Sequence, residues 1–282
     1  MKNSTLKVAE MRLKLESYVN TLRDEELSRA TRYKYQHDIM KFITFIGGHK
    51  TIRKSDVIRY KDYLMKQHKT ATVNSYLISL NRYLVWLKQE DLTVKTVRMQ
   101  RKSCLDNVLS ECEYKKLLQV CERANNERDY LMLRTLAATG IRVCELPYIT
   151  YEAVVKGEVD VHAKGRSRTV FIPPVLASRL QAFCHKHAIS SGSVFLGSGQ
   201  RGCLHPSSVW KVLKRLAFKA GVAPEKVYPH SFRHLFAKTY MHKIGNIFEL
   251  ADLLGHSSIE TTRLYTLTTT REKRKTVNML NL

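Results

Sequence analysis

The stretch FELADLLGHSSIETTRLY, residues 248–265, has two readings that lead to different molecules. An apolar segment runs into Gly255, and a polar segment with Thr and Arg follows. That outline fits a helix-turn-helix, which makes the chain a DNA-binding regulator with no chemistry. The same residues also put His256 just behind a helix-stopping glycine and Tyr265 at the far end of the polar segment. A lone Tyr is ordinarily a half-buried aromatic, and a His behind a Gly ordinarily serves a helix end. The rest of the chain has to choose.

Lys and Arg number 48 against 25 Asp and Glu, a formal charge of +23. Such an excess repels itself and calls for an anionic partner: first nucleic acid, second an anionic membrane surface. The basic residues run through the whole chain, as on a folded body and not a charged tail. With 44% hydrophobic residues over 282 positions, the sequence can build one large domain or two ordinary ones. No run approaches the roughly 20 apolar residues of a membrane span. The N-terminus MKNSTLKVAEMRLKLESY has no apolar signal-peptide core. The six cysteines form no C-x-x-C pair and have no His at zinc spacing. No carboxylate cluster suggests Mg²⁺ and no P-loop suggests a nucleotide. These features predict reduced thiols, no metal, no cofactor, no membrane, and a cytoplasmic, nucleoid-associated protein.

The fold class expected is mainly α with a small β-sheet. Over residues 1–100 the stripes Tyr35, Ile39, Phe42, Ile43, Ile46 and Val73, Leu77, Leu80, Leu84, Leu87 recur at helical spacing. With helices near 6–22 and 55–67 they predict a four-helix unit. RMQRKSCLDNV, residues 98–108, lacks apolar periodicity and reads as a linker, assigned to 101–107. Ser110 and Glu113 form a capping box that opens the second domain, 108–282. There, EVDVHA, a KGRS turn and RTVFIP predict a β-hairpin, and SVFLG, 193–197, a further short strand. The remainder reads as helices near 175–187, 206–220, 230–242, 246–254, 258–266 and 271–280.

Four short motifs carry candidate chemistry. TGIRVCEL holds Arg142 and Glu145. HAKGRSRTVFIP holds Lys164 at the hairpin tip. HSFRH holds His230 and Arg233, and GHSSIETTRLY holds His256 and Tyr265. Each has an ordinary reading: a salt-bridged Arg142, a solvated Lys164, a capped helix start with a solvated Arg233. Together they supply what one reaction needs. In-line attack on a phosphodiester adds negative charge to the non-bridging oxygens, and fixed cationic donors stabilise that state most. Arginine forks match phosphate oxygens, a lysine can protonate a leaving oxygen, and a tyrosine can attack.

In this order, the four motifs resemble those of tyrosine recombinases of the lambda-integrase and Xer type, over nearly the whole chain. The resemblance implies an N-terminal helical, SAM-like core-binding domain and an α+β catalytic domain, closing as a clamp on opposite faces of duplex DNA. It implies that Arg142 and Arg233 hold the scissile phosphate, with His256 donating a third hydrogen bond and His230 assisting. It implies that Lys164 protonates the leaving 5′-hydroxyl, Tyr265 forms a 3′-phosphotyrosyl link, and Glu145 supports the arginine box. Ser167 stands where a second basic residue is common. The partners implied are a double-stranded recombination site and a homo-tetramer on two sites, with accessory DNA-bending proteins compatible. The tail apolar residues Val277, Met279, Leu280 and Leu282 are suited to docking in trans. The implied role serves a mobile element or Xer-like chromosome maintenance. A helix-turn-helix regulator and a type IB topoisomerase are the competing readings.

Overall fold

The computed structural model describes residues 6–47, 51–98, 107–163, 166–197, 202–256, 258–259, 262–263 and 278. The chain divides into two compact units, Met1–Arg101 and Lys102–Leu282. Lys164 and Tyr265 lie outside the described residues, as do the tail residues Val277, Met279, Leu280 and Leu282 and nearly all of the expected helix near 271–280.

The first unit is built on α1 (Val8–Asp24), α2 (Arg29–Ile46), α3 (Lys54–Gln67) and α4 (Thr70–Trp86), with Leu6–Lys7 (β1) pairing antiparallel to Thr51–Ile52 (β2). The expected stripes form its core. Ile39, Phe42, Ile43 and Ile46 on α2 and Val73, Leu77, Leu80 and Leu84 on α4 are buried with Met11, Tyr18, Tyr60 and Tyr83. Asp38 and Asp56 are buried as well: Asp38 accepts a 2.7 Å hydrogen bond from Ser79 and pairs with Lys34.

The first helix of the second unit opens where the capping box predicts. Ser110 and Glu113 exchange side-chain-to-backbone hydrogen bonds at the start of α5 (Glu111–Arg123). α6 (Glu127–Thr139) ends at Gly140, whose φ of +61° is the left-handed stop. A 3₁₀ turn over Val143–Tyr148 and the short α7 (Tyr151–Lys156) lead to β3 (Glu158–Ala163) and β4 (Arg166–Phe171). The hairpin is tighter than expected. His162 pairs with Ser167 and Ala163 with Arg166, so half of the KGRS turn belongs to the strand. After α8 (Pro174–Lys186), the strand expected at 193–197 is not formed. Ser193 and Leu196 make only isolated bridges, to Thr150 and Cys203, and Val194 and Phe195 are buried as loop residues. A short apolar run looks the same to sequence periodicity whether it pairs or packs.

α9 (Pro206–Lys219), α10 (Pro229–Lys243) and α11 (Ile247–Leu254) complete the described helices of this unit. The core joins Leu131, Leu133 and Leu136 of α6, Val161 and Val170 of the hairpin, Leu213 of α9 and Phe232 of α10. α10 packs on α6, and α11 packs on both α10 and β4. That layering brings the end of α6, the first turns of α10, strand β4 and the end of α11 together.

Candidate active site

The site assembles at the C-terminal end of α11. Gly255 takes φ +61° and closes the helix: its N–H bonds to the Asp252 carbonyl, and the His256 N–H bonds back to Ala251, both at 2.9 Å. The reversal leaves the Leu254 and Gly255 carbonyls free for outside donors, where the helix also presents the negative end of its dipole. Arginines from three other segments take them. Arg233 of α10 donates Nη1–H to the Gly140 carbonyl at 2.8 Å and Nη2–H to the Leu254 carbonyl. Arg142 donates Nη2–H to the Gly255 carbonyl at 3.3 Å, and Arg168 of β4 donates Nε–H to the Leu254 carbonyl at 3.2 Å.

One carboxylate balances them. Glu145, 1% exposed, accepts the Arg142 N–H at 2.9 Å and Nη1–H at 2.8 Å on one side, and Arg168 Nη2–H at 2.7 Å on the other. Three guanidinium charges thus face one carboxylate and a helix end worth about half a charge, which leaves roughly one and a half positive charges uncompensated. A phosphodiester carries one negative charge, and its transition state more.

His256 lies against this surplus. Arg233 Nη2 is 3.0 Å from His256 Nε2, and His256 Nδ1 is 2.8 Å from Thr262 Oγ. A guanidinium only donates, so Nε2 accepts and the ring proton sits on Nδ1, donated to Thr262. Burial, followed by the charges of Arg233, Arg142 and Arg168, pushes the His256 pKa down to about 4. The ring is therefore neutral at pH 7. His230, exposed in the first turn of α10, is also held below its usual value, by partial desolvation first and then by Arg233 and Arg142. His234, one turn further on, is pushed to about 4, mainly by burial.

Of the residues singled out in the sequence, Arg142, Glu145, Arg233 and His256 meet in one place, and His230 lies within electrostatic reach of both arginines. The solvated reading of Arg233 is overturned: the residue is 2% exposed, because the Gly140 and Leu254 carbonyls bracket it. Two site residues were missed. Arg168 lies in phase with buried Val170 and Ile172 and opposite buried Val161, so a charge at an inward strand position was the available signal. Thr262 belongs to the polar segment suited to reading DNA, yet it is 0% exposed and holds the His256 ring.

With three arginines gathered at one helix end, comparison with known proteins gives the class. The chain belongs to the phage integrase family of tyrosine recombinases, enzymes of site-specific DNA strand exchange: the phage integrase family model matches residues 107–272, and the phage integrase N-terminal SAM-like domain model matches 15–91. It is 31% identical to the tyrosine recombinase XerA of Pyrococcus furiosus, over 95% of this chain and 94% of that protein. It is 26% identical to XerD of Oceanobacillus iheyensis, over 89% and 92% of the two chains. Among solved structures it has the fold of a lambda integrase tetramer bound to a Holliday junction (TM-score 0.74, 17% identity, 93% of this chain and 78% of that one). It also has the fold of XerH bound to its difH substrate (TM-score 0.67, 19% identity, 94% and 83%). The regulator reading finds no support in these relatives.

Proposed function

We propose that this recombinase holds a scissile phosphate between Arg142 and Arg233 and transfers it to Tyr265. The tyrosine hydroxyl gives its proton to His230 acting as base while its oxygen attacks phosphorus, the bond to the 5′-oxygen breaks, and Lys164 protonates that oxygen as it leaves. A 3′-phosphotyrosyl link then stores the bond energy. A 5′-hydroxyl from the partner strand reverses the sequence, returning its proton to Lys164, so no external energy source enters. His256 donates to a non-bridging oxygen once its Nε2 carries a proton, which requires Arg233 to release that nitrogen. His230 assists as acid, base or phosphate ligand. Arg142, positioned by Glu145, offers its remaining N–H groups to the phosphate.

The observation that carries this reading is the convergence of Arg142 and Arg233 on adjacent carbonyls beside His256, with more positive charge than the surrounding groups neutralise. Residues 1–100 and 108–282, joined by 101–107, act as core-binding and catalytic domains that both contact duplex DNA. The active species is a homo-tetramer on two sites, with the tail around Val277 and Leu280 docking in trans, and it works at the nucleoid. The lambda integrase tetramer on a Holliday junction, similar in fold, supports that assembly. The role serves a mobile element or chromosome maintenance.

The test is covalent trapping on a nicked suicide duplex, whose sequence is selected from a random pool by binding to the protein. Wild-type protein is expected to form a protein–DNA adduct that denaturant does not dissociate. Tyr265→Phe is expected to bind the duplex with the same affinity and form none. An adduct persisting in Tyr265→Phe removes the tyrosine from this role. Relaxation of plasmid lacking the selected site indicates topoisomerase action in its place.

A further inference from the structure

Arg168 sits where a strand residue should be apolar. Its neighbours in phase along β4 and β3, Val170, Ile172 and Val161, are all buried, and its own side chain is 10% exposed. Its Nη1 has no hydrogen-bond partner among the described residues. Burial holds its pKa below that of an ordinary guanidinium, with Arg142 adding to the depression while Glu145 opposes it. On stability alone this is a costly choice, because an apolar residue at a core position avoids the desolvation penalty that a buried ion pair must repay. Gly255 accommodates it at close range: a Cβ there would overlap Arg168 Cδ and lie 2.8 Å from Nε.

What Arg168 does with its other nitrogens explains its presence. Nη2 holds the Glu145 oxygen that also receives the Arg142 backbone N–H, and Nε holds the Leu254 carbonyl that also receives Arg233. One planar group therefore touches the supports of both phosphate-clamping arginines. We propose that Arg168 is a positioning residue for strand cleavage, a rigid fork that fixes Arg142, through Glu145, and Arg233, through the Leu254 carbonyl, at one separation matched to a single phosphate. This rests on the recombinase reading above. The fork geometry matters as well as the charge. A lysine has the charge but no planar pair of donors set to reach a carboxylate and a carbonyl together.

The test compares Arg168→Met and Arg168→Lys with wild type by duplex affinity, melting temperature and single-turnover adduct formation on the selected suicide duplex. The Met variant is expected to keep wild-type affinity within about twofold and to melt lower, since buried Glu145 loses one of its two arginines, while adduct formation, measured where the variant is fully folded, slows by about ten- to a hundredfold, in line with misplacing a charge-stabilising donor. The Lys variant is expected to fold, bind and recover less than half of the lost rate on a logarithmic scale. If the Met variant does not fold, the Lys variant carries the test alone: a rate depressed about fivefold or more at unchanged affinity supports positioning. Wild-type rates in either folded variant overturn it, as does a rate loss that disappears at temperatures where each variant is fully folded. If wild-type protein forms no adduct at all, the recombinase reading falls and this proposal falls with it. An active wild type with an equally active Arg168→Met removes this proposal alone.

Discussion

Two buried carboxylates in the C-terminal unit are each gripped by two arginines, and they do opposite work. Asp129, 0% exposed at the start of α6, accepts from Arg215 at 2.8 Å, Arg128 at 3.1 Å and the Asn126 amide at 2.8 Å. Its arginines stay half in water, at 35% and 53% side-chain exposure. Glu145 has the same complement, yet one of its arginines, Arg168, turns inward at 10% beside Arg142 at 30%, and both meet a third at a helix end. Around Asp129 the positive charge spreads outward and is screened, and the acid serves to tie α6 to α9. Around Glu145 the charge is focused into one spot, where low dielectric magnifies it. The same residue types make a structural knot in one place and a concentrated positive charge in the other, and the difference lies in where the forks point.

The contrast can be tested by removing its parts. Arg233→Ala and Arg142→Ala are expected to show the largest effects, each an adduct rate lower by about 10²–10³, the usual loss for one charge-stabilising donor. Arg142→Ala should also melt somewhat lower, since buried Glu145 loses the Nη1–H donated to its Oε1. Arg233→Ala should melt lower still, since it takes the donor from the Gly140 carbonyl and one of two from the Leu254 carbonyl. Next comes the exchange of the two acids. Asp129→Asn is expected to destabilise the unit by about 1–3 kcal/mol with no change in adduct rate per folded molecule. Glu145→Gln is expected to slow cleavage about tenfold, the equivalent of one weakened charge-assisted hydrogen bond. Equal rate losses in both variants, measured at a temperature where both are folded, would erase the distinction.

The smallest effect is set by pH. His256 and His234 titrate near 4 in the folded protein against an ordinary 6.5. Between those values the unfolded chain binds the protons first, so stability is lost as pH falls from about 6.5 towards 4. Melting curves from pH 7 to 4.5 should show the decline, and Asp129→Asn should shift the whole curve without changing its slope there. A flat profile would mean that neither imidazole is buried against positive charge.

Much of this was legible in the sequence where one rule acts alone. The stripes through Ile39 and Leu77 became the core of the first unit because helical spacing fixes which face is inside. The Ser110–Glu113 box and Gly140 marked real helix ends because their chemistry is local. The four motifs suggested one site, and the structure brings Arg142, Arg233 and His256 together, while Lys164 and Tyr265 lie outside the described residues. The rest depended on tertiary partners. SVFLG carries the right residues for a strand but finds no strand to pair with. Thr262 looked like a surface threonine because nothing in the order of residues shows that the His256 ring will cover it. Arg168 broke the alternation of its strand, and that break was the signal. In a hairpin rich in Lys and Arg it was indistinguishable from the charge meant for DNA.

The crowding of like charges at the end of α11 has a further consequence, for handling the protein and for its behaviour in the cell. Without DNA, the repulsion among these guanidinium groups acts against the fold itself. A small oxyanion bound beside Arg142 would relieve it, and by linkage would stabilise the native state in proportion to its occupancy. Sulfate or phosphate buffers would then protect the enzyme and inhibit it through the same contacts. The duplex, bound there, would act as the missing counterion of the protein's own interior.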